Sequence, residues 1–384
     1  MTLSFAVGAR DGLARTGTVT TARGSFATPC FMPVGTRGTV RALSSADLED
    51  LGAEVVLGNT YHLMLRPGAD VVAALGGLHG FSAWSGHVLT DSGGYQVFSL
   101  RPKVDDEGAT FASTYDGSRH HLSPEGAVEV QLALRSDIQM VLDVCPPLPS
   151  PVPVLRAAVD RTALWAGRAR RAFLAAERPE LNQFGIVQGG TEVDLRVESA
   201  QRTVAIGFEG YAVGGLSVGE EWAATVPALE AAVAELPDDR PRYFMGLGDP
   251  LGIVDAVARG IDMFDCVLPT RLARHGTLLT GEGRLNLRNR RFATDADPLD
   301  PGCGCAVCAR WSRAYLRHLL VVAEPTALRL LTLHNVVWTF ALVDRIRAAI
   351  AAGALASLRS EVAQRWDERG RTPRPDAETG AGGG

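Results

Sequence analysis

Lysine is almost missing from this chain: Lys103 is the single one, and every other basic side chain among its 38 Lys and Arg residues is an arginine. Arginine is the better fork for a phosphate, so an anion site here would be built from guanidinium groups. The formal net charge of −5 excludes an indiscriminate nucleic-acid coat, which needs cation density throughout. It leaves room for a local basic patch. No apolar run approaches the roughly 20 residues that span a bilayer, so no membrane span is expected. The opening, MTLSFAVGARDG, lacks a basic region followed by an apolar core, so no signal peptide is expected. The expected location is the cytoplasm. Cysteine is sparse: Cys30, Cys145 and Cys266 stand alone, while Cys303, Cys305 and Cys308 are clustered. In a cytosolic chain such a cluster points to a metal before a disulfide. A glycine-rich dinucleotide fingerprint after the first strand is also absent, which argues against an open doubly wound sheet.

What is present is a regular alternation. With 46% hydrophobic residues the chain can bury a sizeable core. Short apolar runs predict strands at Pro29–Val34, Glu54–Leu57, Val88–Thr90, Ile138–Leu142, Gln183–Val187, Gly210–Val213, Arg242–Gly246 and Ile261–Phe264. Segments with apolar spacing near 3.6 predict helices at Ser44–Leu51, Gly68–Leu75, Ser123–Ser136, Pro153–Ala176, Glu192–Ile206, Glu221–Leu236 and Pro250–Ala258. Ser44 is a plausible N-cap, and Ser123-Pro124-Glu125 has the form of a cap with proline at the first helical position. Strands alternating with helices predict an α/β fold, a TIM (β/α)8 barrel, over residues 1–274. Asp105–His121 is longer than a loop needs and is expected to be an inserted hairpin or lid. Residues 275–324 break the pattern as a second insertion with little core of its own. C-terminal helices over 325–370 are expected to close the barrel, and residues 371–384 to form a disordered tail.

The strand ends carry the chemistry. Asp91, Asp143, Gln188 and Asp265 fall at four separate ones, among glycines that turns alone would explain. In a barrel these ends converge on one rim, where active sites are built. The last strand is the sharpest case, because GIDMFDCVLPTRLAR runs an apolar strand into Asp265 and then into Arg271 and Arg274. A carboxylate there is either a helix cap or a catalytic acid. Cys303-Gly-Cys305-Ala-Val-Cys308 offers three soft ligands, which favour zinc, and a tetrahedral structural site needs a fourth. His334, alone on an apolar helix, would read as a core histidine; beside three cysteines it is the best fourth ligand. A Cys3His set leaves no open position, so one structural Zn2+ is expected to pin the insertion to the helix.

Taken together, Gly58-Asn-Thr-Tyr-His-Leu63, Asp91-Ser-Gly-Gly-Tyr-Gln96, Asp116-Gly-Ser-Arg-His120, Gly189-Gly190, Tyr211-Ala-Val-Gly-Gly-Leu-Ser-Val-Gly-Glu220, Met263-Phe-Asp-Cys-Val-Leu-Pro-Thr-Arg271 and the Cys3His set resemble a bacterial-type tRNA-guanine transglycosylase. The resemblance runs from Phe31 to about Ala352. It implies a zinc-containing TIM barrel that exchanges the wobble guanine of GUN-anticodon tRNAs for 7-aminomethyl-7-deazaguanine on the route to queuosine. It implies Asp265 as nucleophile and Asp91 as general acid/base. Ser92, Asp143, Gln188, Gly214 and Gly215 would hold the base edge, with Tyr95 and Met245 sandwiching the ring. Arg271 and Arg274 would meet anticodon-loop bases, as would the turn Gly246, Leu247, Gly248 and Asp249. Arg284, Arg288, Arg290 and Arg291 would meet phosphates or form a solvated basic face. The family is usually homodimeric.

Two departures bear on specificity. Val144 stands where bacterial members usually carry an acid, which puts the incoming deazaguanine in doubt. Leu272-Ala-Arg-His-Gly276 differs from the usual segment but keeps both arginines. Val218 matches the bulky bacterial choice against the larger queuine. A non-catalytic tRNA-binding subunit is the rival of another class, and retention of both Asp91 and Asp265 speaks against it. A paralogue inserting deazaguanines into DNA has no specific support. A two-carboxylate glycoside hydrolase would leave the cysteine cluster and the base-reading set unexplained.

Overall fold

The structure is a computed structural model and describes residues 3–366; the tail expected at 371–384 lies outside them. Eight parallel strands close into a barrel: Cys30–Gly35, Val55–Gly58, His87–Thr90, Ile138–Met140, Asn182–Val187, Gly210–Val213, Arg242–Phe244 and Met263–Cys266. They follow one another around the circle in chain order. The eighth closes on the first, with Met263 opposite Cys30 and Cys266 opposite Pro33. Every residue of the third and sixth strands is buried, which explains apolar runs without alternation, since helices cover the outside and side chains fill the inside. Phe184, Tyr243, Phe244, Phe264, Met32 and Leu89 are among the most completely buried side chains.

The helix signals locate real caps. Ser44 forms a reciprocal capping box with Asp47 at the start of Ser45–Asp50. Ser123 caps Pro124–Leu134, with its proline in the first turn. The outer helices Val152–Ala175, Val193–Ile206, Trp222–Ala234 and Pro250–Val257 lie where periodicity places them.

Several features differ from expectation. The fourth and seventh strands stop at Met140 and Phe244 rather than at Leu142 and Gly246. Apolar side chains continue past the ladder there, and Gly246 turns the chain at φ +78°. Residues before the barrel form an unanticipated antiparallel sheet, Ser4–Asp11, Ala14–Thr21 and Gly24–Thr28. Arg15 from this sheet makes a buried ion pair with Asp262, Arg23 pairs with Asp137, and the Leu3 amide donates to Asn182. All three partners sit where barrel strands begin, so the sheet covers the N-terminal end and leaves the opposite rim for the site.

The insertion after the third strand is a three-stranded antiparallel sheet, Lys103–Val104, Ala109–Ala112 and Arg119–Leu122. Residues 275–324 form a hairpin, Thr277–Thr280 with Gly283–Asn286, a 3-10 turn at Arg290–Thr294 and a helix at Arg313–Val321. This segment has more core than expected: Leu278, Leu287, Phe292, Leu299 and Leu316 pack with Leu330 and Leu331 of the following helix. That helix, Pro325–Ala351, is by length and composition apolar enough to cross a membrane, contrary to the expectation from run length, and 61% of its most apolar window is buried. Its apolar face packs against the barrel and the insertion. Leu355–Arg365 follows.

Candidate active site and metal centre

Asp265 stands at the tip of the eighth strand, and its Oδ1 accepts two hydrogen bonds. One comes from the Tyr243 hydroxyl on the neighbouring seventh strand, the other from the Gly246 amide at 2.7 Å. Burial and the charges of Asp265 and Asp91 push the Tyr243 phenol well above its ordinary value, so it remains a donor. One hydroxyl therefore feels both acids.

Asp91, just beyond the third strand, is held from the second. Asn59 Nδ2 donates to its Oδ2 at 2.7 Å, and the amides of Thr60 and Gly93 donate to Oδ1 at 2.9 and 3.1 Å. Asn59 and Thr60 begin the short helix Thr60–Leu65, so its N-terminal end faces the carboxylate. Burial, followed by the negative charges of Asp265 and Asp143, outweighs these donors and lifts Asp91 to about 7. The acids that the sequence puts on separate strands thus act on one another across one mouth.

Beside them, Asp143 Oδ2 accepts from Gln188 Nε2 at 2.6 Å, and the Ser92 hydroxyl supports the same carboxyl group. Burial raises Asp143 to about 6. Gln188 Oε1 is buried and meets no donor. It lies so close to Gly215, itself at φ +64°, that a methyl group there would collide with it. A side chain at Gly214 would press on Ile186 and Gln188 Nε2 and reach contact with Met245 Sδ. Buried acceptors beside bare glycines suit a flat ligand whose edge is rich in N–H groups. Tyr95 is 55% exposed on the adjoining helix Gly94–Ser99.

Three supports are not legible in the sequence. Tyr243 reads as an ordinary strand aromatic, although a tyrosine inside a buried strand needs a partner for its hydroxyl. Asn59-Thr60 stands out only as part of a longer motif. Arg196 reads as the polar face of a helix, yet it is fully buried. Its guanidinium donates to the carbonyls of Gly190, Val187 and Gly214 at 2.7, 2.9 and 2.7 Å, tying the fifth and sixth strand ends together behind the pocket.

The predicted RNA contacts divide. Arg271 and Arg274 lie on the helix Leu268–Arg274 directly after Asp265. Burial, with the charges of Arg41 and Arg271, disfavours the cation at Arg274; Arg41 carries no signal of this in the sequence. The turn at 246–249 has internal duties. The Gly246 amide serves Asp265, Leu247 is buried, Gly248 packs on Cys266, and Asp249 caps Pro250–Val257. Arg284 faces Asp249 at 3.9 Å, while Arg288, Arg290 and Arg291 are exposed. Val144, where the resemblance calls for an acid, packs in an apolar cluster with Val97, Leu142 and Trp165.

Cys303, Cys305, Cys308 and His334 offer ligand atoms that all lie within 4.8 Å of one another. Thiolates around a tetrahedral ion at bond lengths of about 2.3 Å stand about 3.8 Å apart, so the spacing fits a metal. His334 Nδ1 approaches Cys308 Sγ at 3.3 Å and Cys305 Sγ at 3.6 Å. Its Nε2 pairs with the Leu279 carbonyl at 2.8 Å, which fixes the tautomer and presents Nδ1 as ligand. The residues fit a metal ion with no open position.

Comparison with known proteins agrees with this geometry. The family model for queuine tRNA-ribosyltransferase matches residues 11–368. A queuine tRNA-ribosyltransferase of Solidesulfovibrio magneticus is 50% identical over 367 residues, covering 95% of this chain and 98% of that protein. One of Symbiobacterium thermophilum is 50% identical over 373 residues, covering 96% and 93%. One of Desulfosudis oleivorans is 51% identical over 352 residues, covering 91% and 92%.

Proposed function

The chain belongs to the queuine tRNA-ribosyltransferase family, and from that premise we propose that its barrel mouth exchanges the wobble guanine of GUN-anticodon tRNAs for 7-aminomethyl-7-deazaguanine. It is a tRNA-guanine transglycosylase of queuosine biosynthesis. The observation that carries the mechanism is the contrast between its two acids. Asp265 is oriented by two donors on one oxygen, whereas Asp91 is lifted to about 7 and can both give and accept a proton near neutrality.

The target nucleotide is flipped from its loop into the pocket. The Asp265 carboxylate attacks C1′ of the ribose, and the glycosidic C–N bond breaks through an oxocarbenium-like transition state. Asp91 gives its proton to the departing guanine. The ribose is then held as an ester of Asp265, on the logic of retaining glycosidases. The deazaguanine enters, Asp91 takes the proton from its ring nitrogen, and that nitrogen attacks C1′. The ester bond breaks, restoring the Asp265 carboxylate and the original configuration at C1′.

Asp143, Gln188 and Gly215 read the base edge, since an analogue lacking an N–H would leave a buried acceptor unpaired. Tyr95 closes over one face of the base and Met245 over the other. Val144 packs among apolar side chains and offers no carboxylate to the substituent of the incoming base. Arg271 and Arg274 meet bases beside the target. Zinc occupies the Cys3His set and supplies only cross-linking between the insertion and the long helix. The enzyme is taken to work in the cytoplasm as a homodimer, and Tyr315, Val321 and Val322 of the 313–322 segment are exposed apolar side chains available for that purpose.

Radiolabelled guanine incubated with the protein and unmodified GUN-anticodon tRNA should enter the tRNA, and Asp265→Asn should abolish this. Absence of label with the zinc-loaded wild-type protein would refute the transglycosylase reading; full activity in the variant would refute the nucleophile.

A further inference from the structure

A second group of cations stands on the rim, on the loops that follow the first three barrel strands. Arg37 follows the first barrel strand, Arg66 ends the helix Thr60–Leu65 after the second, and Tyr115 caps the sheet inserted after the third. The two guanidinium carbons lie 5.6 and 4.7 Å from the centroid of the Tyr115 ring. The Tyr115 hydroxyl meets His62 Nδ1 at 2.9 Å. Burial, and then the charge of Arg37, lowers the His62 pKa, so this ring adds no charge of its own at neutral pH.

Both arginines are exposed, and among the described residues neither guanidinium has a carboxylate within ion-pair distance or an acceptor for its N–H groups. The nearby acid Asp116 feels the charge of Arg66, but its carboxylate is engaged by the hydroxyl and amide of Ser118. A guanidinium over a ring is attracted by the charge of its face, and its N–H donors stay available for another acceptor. The contact with the ring also restrains the side chain, so less rotamer freedom is given up when that acceptor arrives.

A simple latch for the inserted sheet would need one such contact. Two like charges drawn to one ring repel each other, and the repulsion is relieved by an anion placed between them. We propose that Arg37 and Arg66, held by Tyr115, form a clamp for a backbone phosphate of the RNA next to the flipped nucleotide, on the Asp91 side of the mouth. The clamp rests on the transglycosylase reading and gives it a second set of RNA contacts, separate from Arg271 and Arg274. A phosphate contact positions the substrate without reading its sequence.

The test is tRNA affinity as a function of salt, for the wild type, Arg37→Ala, Arg66→Ala and the double variant. Removing both guanidiniums should flatten the slope of log affinity against log salt by about 0.7, the value per phosphate for a single-stranded segment, and removing either one should flatten it by less. At low salt each substitution should weaken tRNA binding roughly tenfold, the worth of a charge-assisted hydrogen bond, while KM for free guanine should not change. Arg156→Ala, on an outer helix, removes the same charge and should leave the slope as in the wild type. A wild-type slope in the double variant overturns the clamp, as does a slope change matched by Arg156→Ala. If the wild type transfers no guanine at all, the transglycosylase reading fails instead.

Discussion

Replacing Asp91 by asparagine should stabilise the protein while destroying its chemistry, and the gain should depend on pH. The folded protein holds the Asp91 proton up to a pH of about 7, against an ordinary value of 3.8. A rise of about three units corresponds to ~4 kcal/mol of disfavoured ionisation. Between the two values the folded state binds the proton and the unfolded state does not, so stability falls as pH rises through this window. Above it the full penalty is present; below the ordinary value it vanishes.

An asparagine side chain in this position would carry no charge at any pH. It would, however, turn a donor toward Asn59 or take away an acceptor from the Thr60 and Gly93 amides, and Asp91 keeps some exposure to solvent. Each hydrogen bond forfeited costs about 1 kcal/mol. A net stabilisation of about 1–2 kcal/mol at pH 8 is expected, shrinking to zero or reversing sign by pH 5. Urea unfolding of the zinc-loaded wild type and Asp91→Asn at half-unit steps from pH 5 to 8.5 measures it. The same group predicts that wild-type exchange declines as pH rises through about 7, because the first half-reaction starts from protonated Asp91. A stability difference that stays flat across this range would refute the claim that burial and neighbouring acids hold the proton on Asp91.

Tyr243→Phe leaves Asp265 Oδ1 without the phenol donor and should slow single-turnover release of guanine roughly tenfold, with tRNA affinity little changed; an unaltered rate would remove Tyr243 from the mechanism. Gly215→Ala forces a methyl group into Gln188 Oε1 at a backbone angle that disfavours side chains. It should raise KM for guanine far more than KM for tRNA, and equal effects on both would mean that Gln188 does not read the base. Cys305→Ser should cost the bound zinc and expose residues 275–324 to protease before the barrel is cut. Metal analysis with limited proteolysis checks this, and a zinc-free, protease-resistant variant would overturn the structural role.

The barrel is legible because a parallel closed sheet hides both faces of each strand, so strands appear as apolar runs with polar tips. Their ends slip at Leu142 and Met245, where apolar side chains continue beyond the hydrogen-bonded ladder. The N-terminal sheet escapes notice because its first strand fully buries only Phe5, while small Ala6, Gly8 and Ala9 blur the alternation that its burial follows. Asp91, Asp143, Gln188 and Asp265 stand out as polar groups ending apolar runs. Tyr243 and Arg196 do not, since each is ordinary for its element and only complete burial reveals its task. Arg37, Arg66 and Tyr115 come from three distant segments, and nothing short of the fold could join them.

The seam between Cys30 and Met263 has a consequence for how the molecule is made. The first strand emerges from the ribosome long before its partner exists, and until then both flanks of the growing sheet present unpaired N–H and C=O groups. A pairing between segments so far apart closes a very long loop, which makes it a slow step and a window for aggregation. Nascent chains halted just short of the eighth strand should therefore require chaperones that chains extended past it can do without.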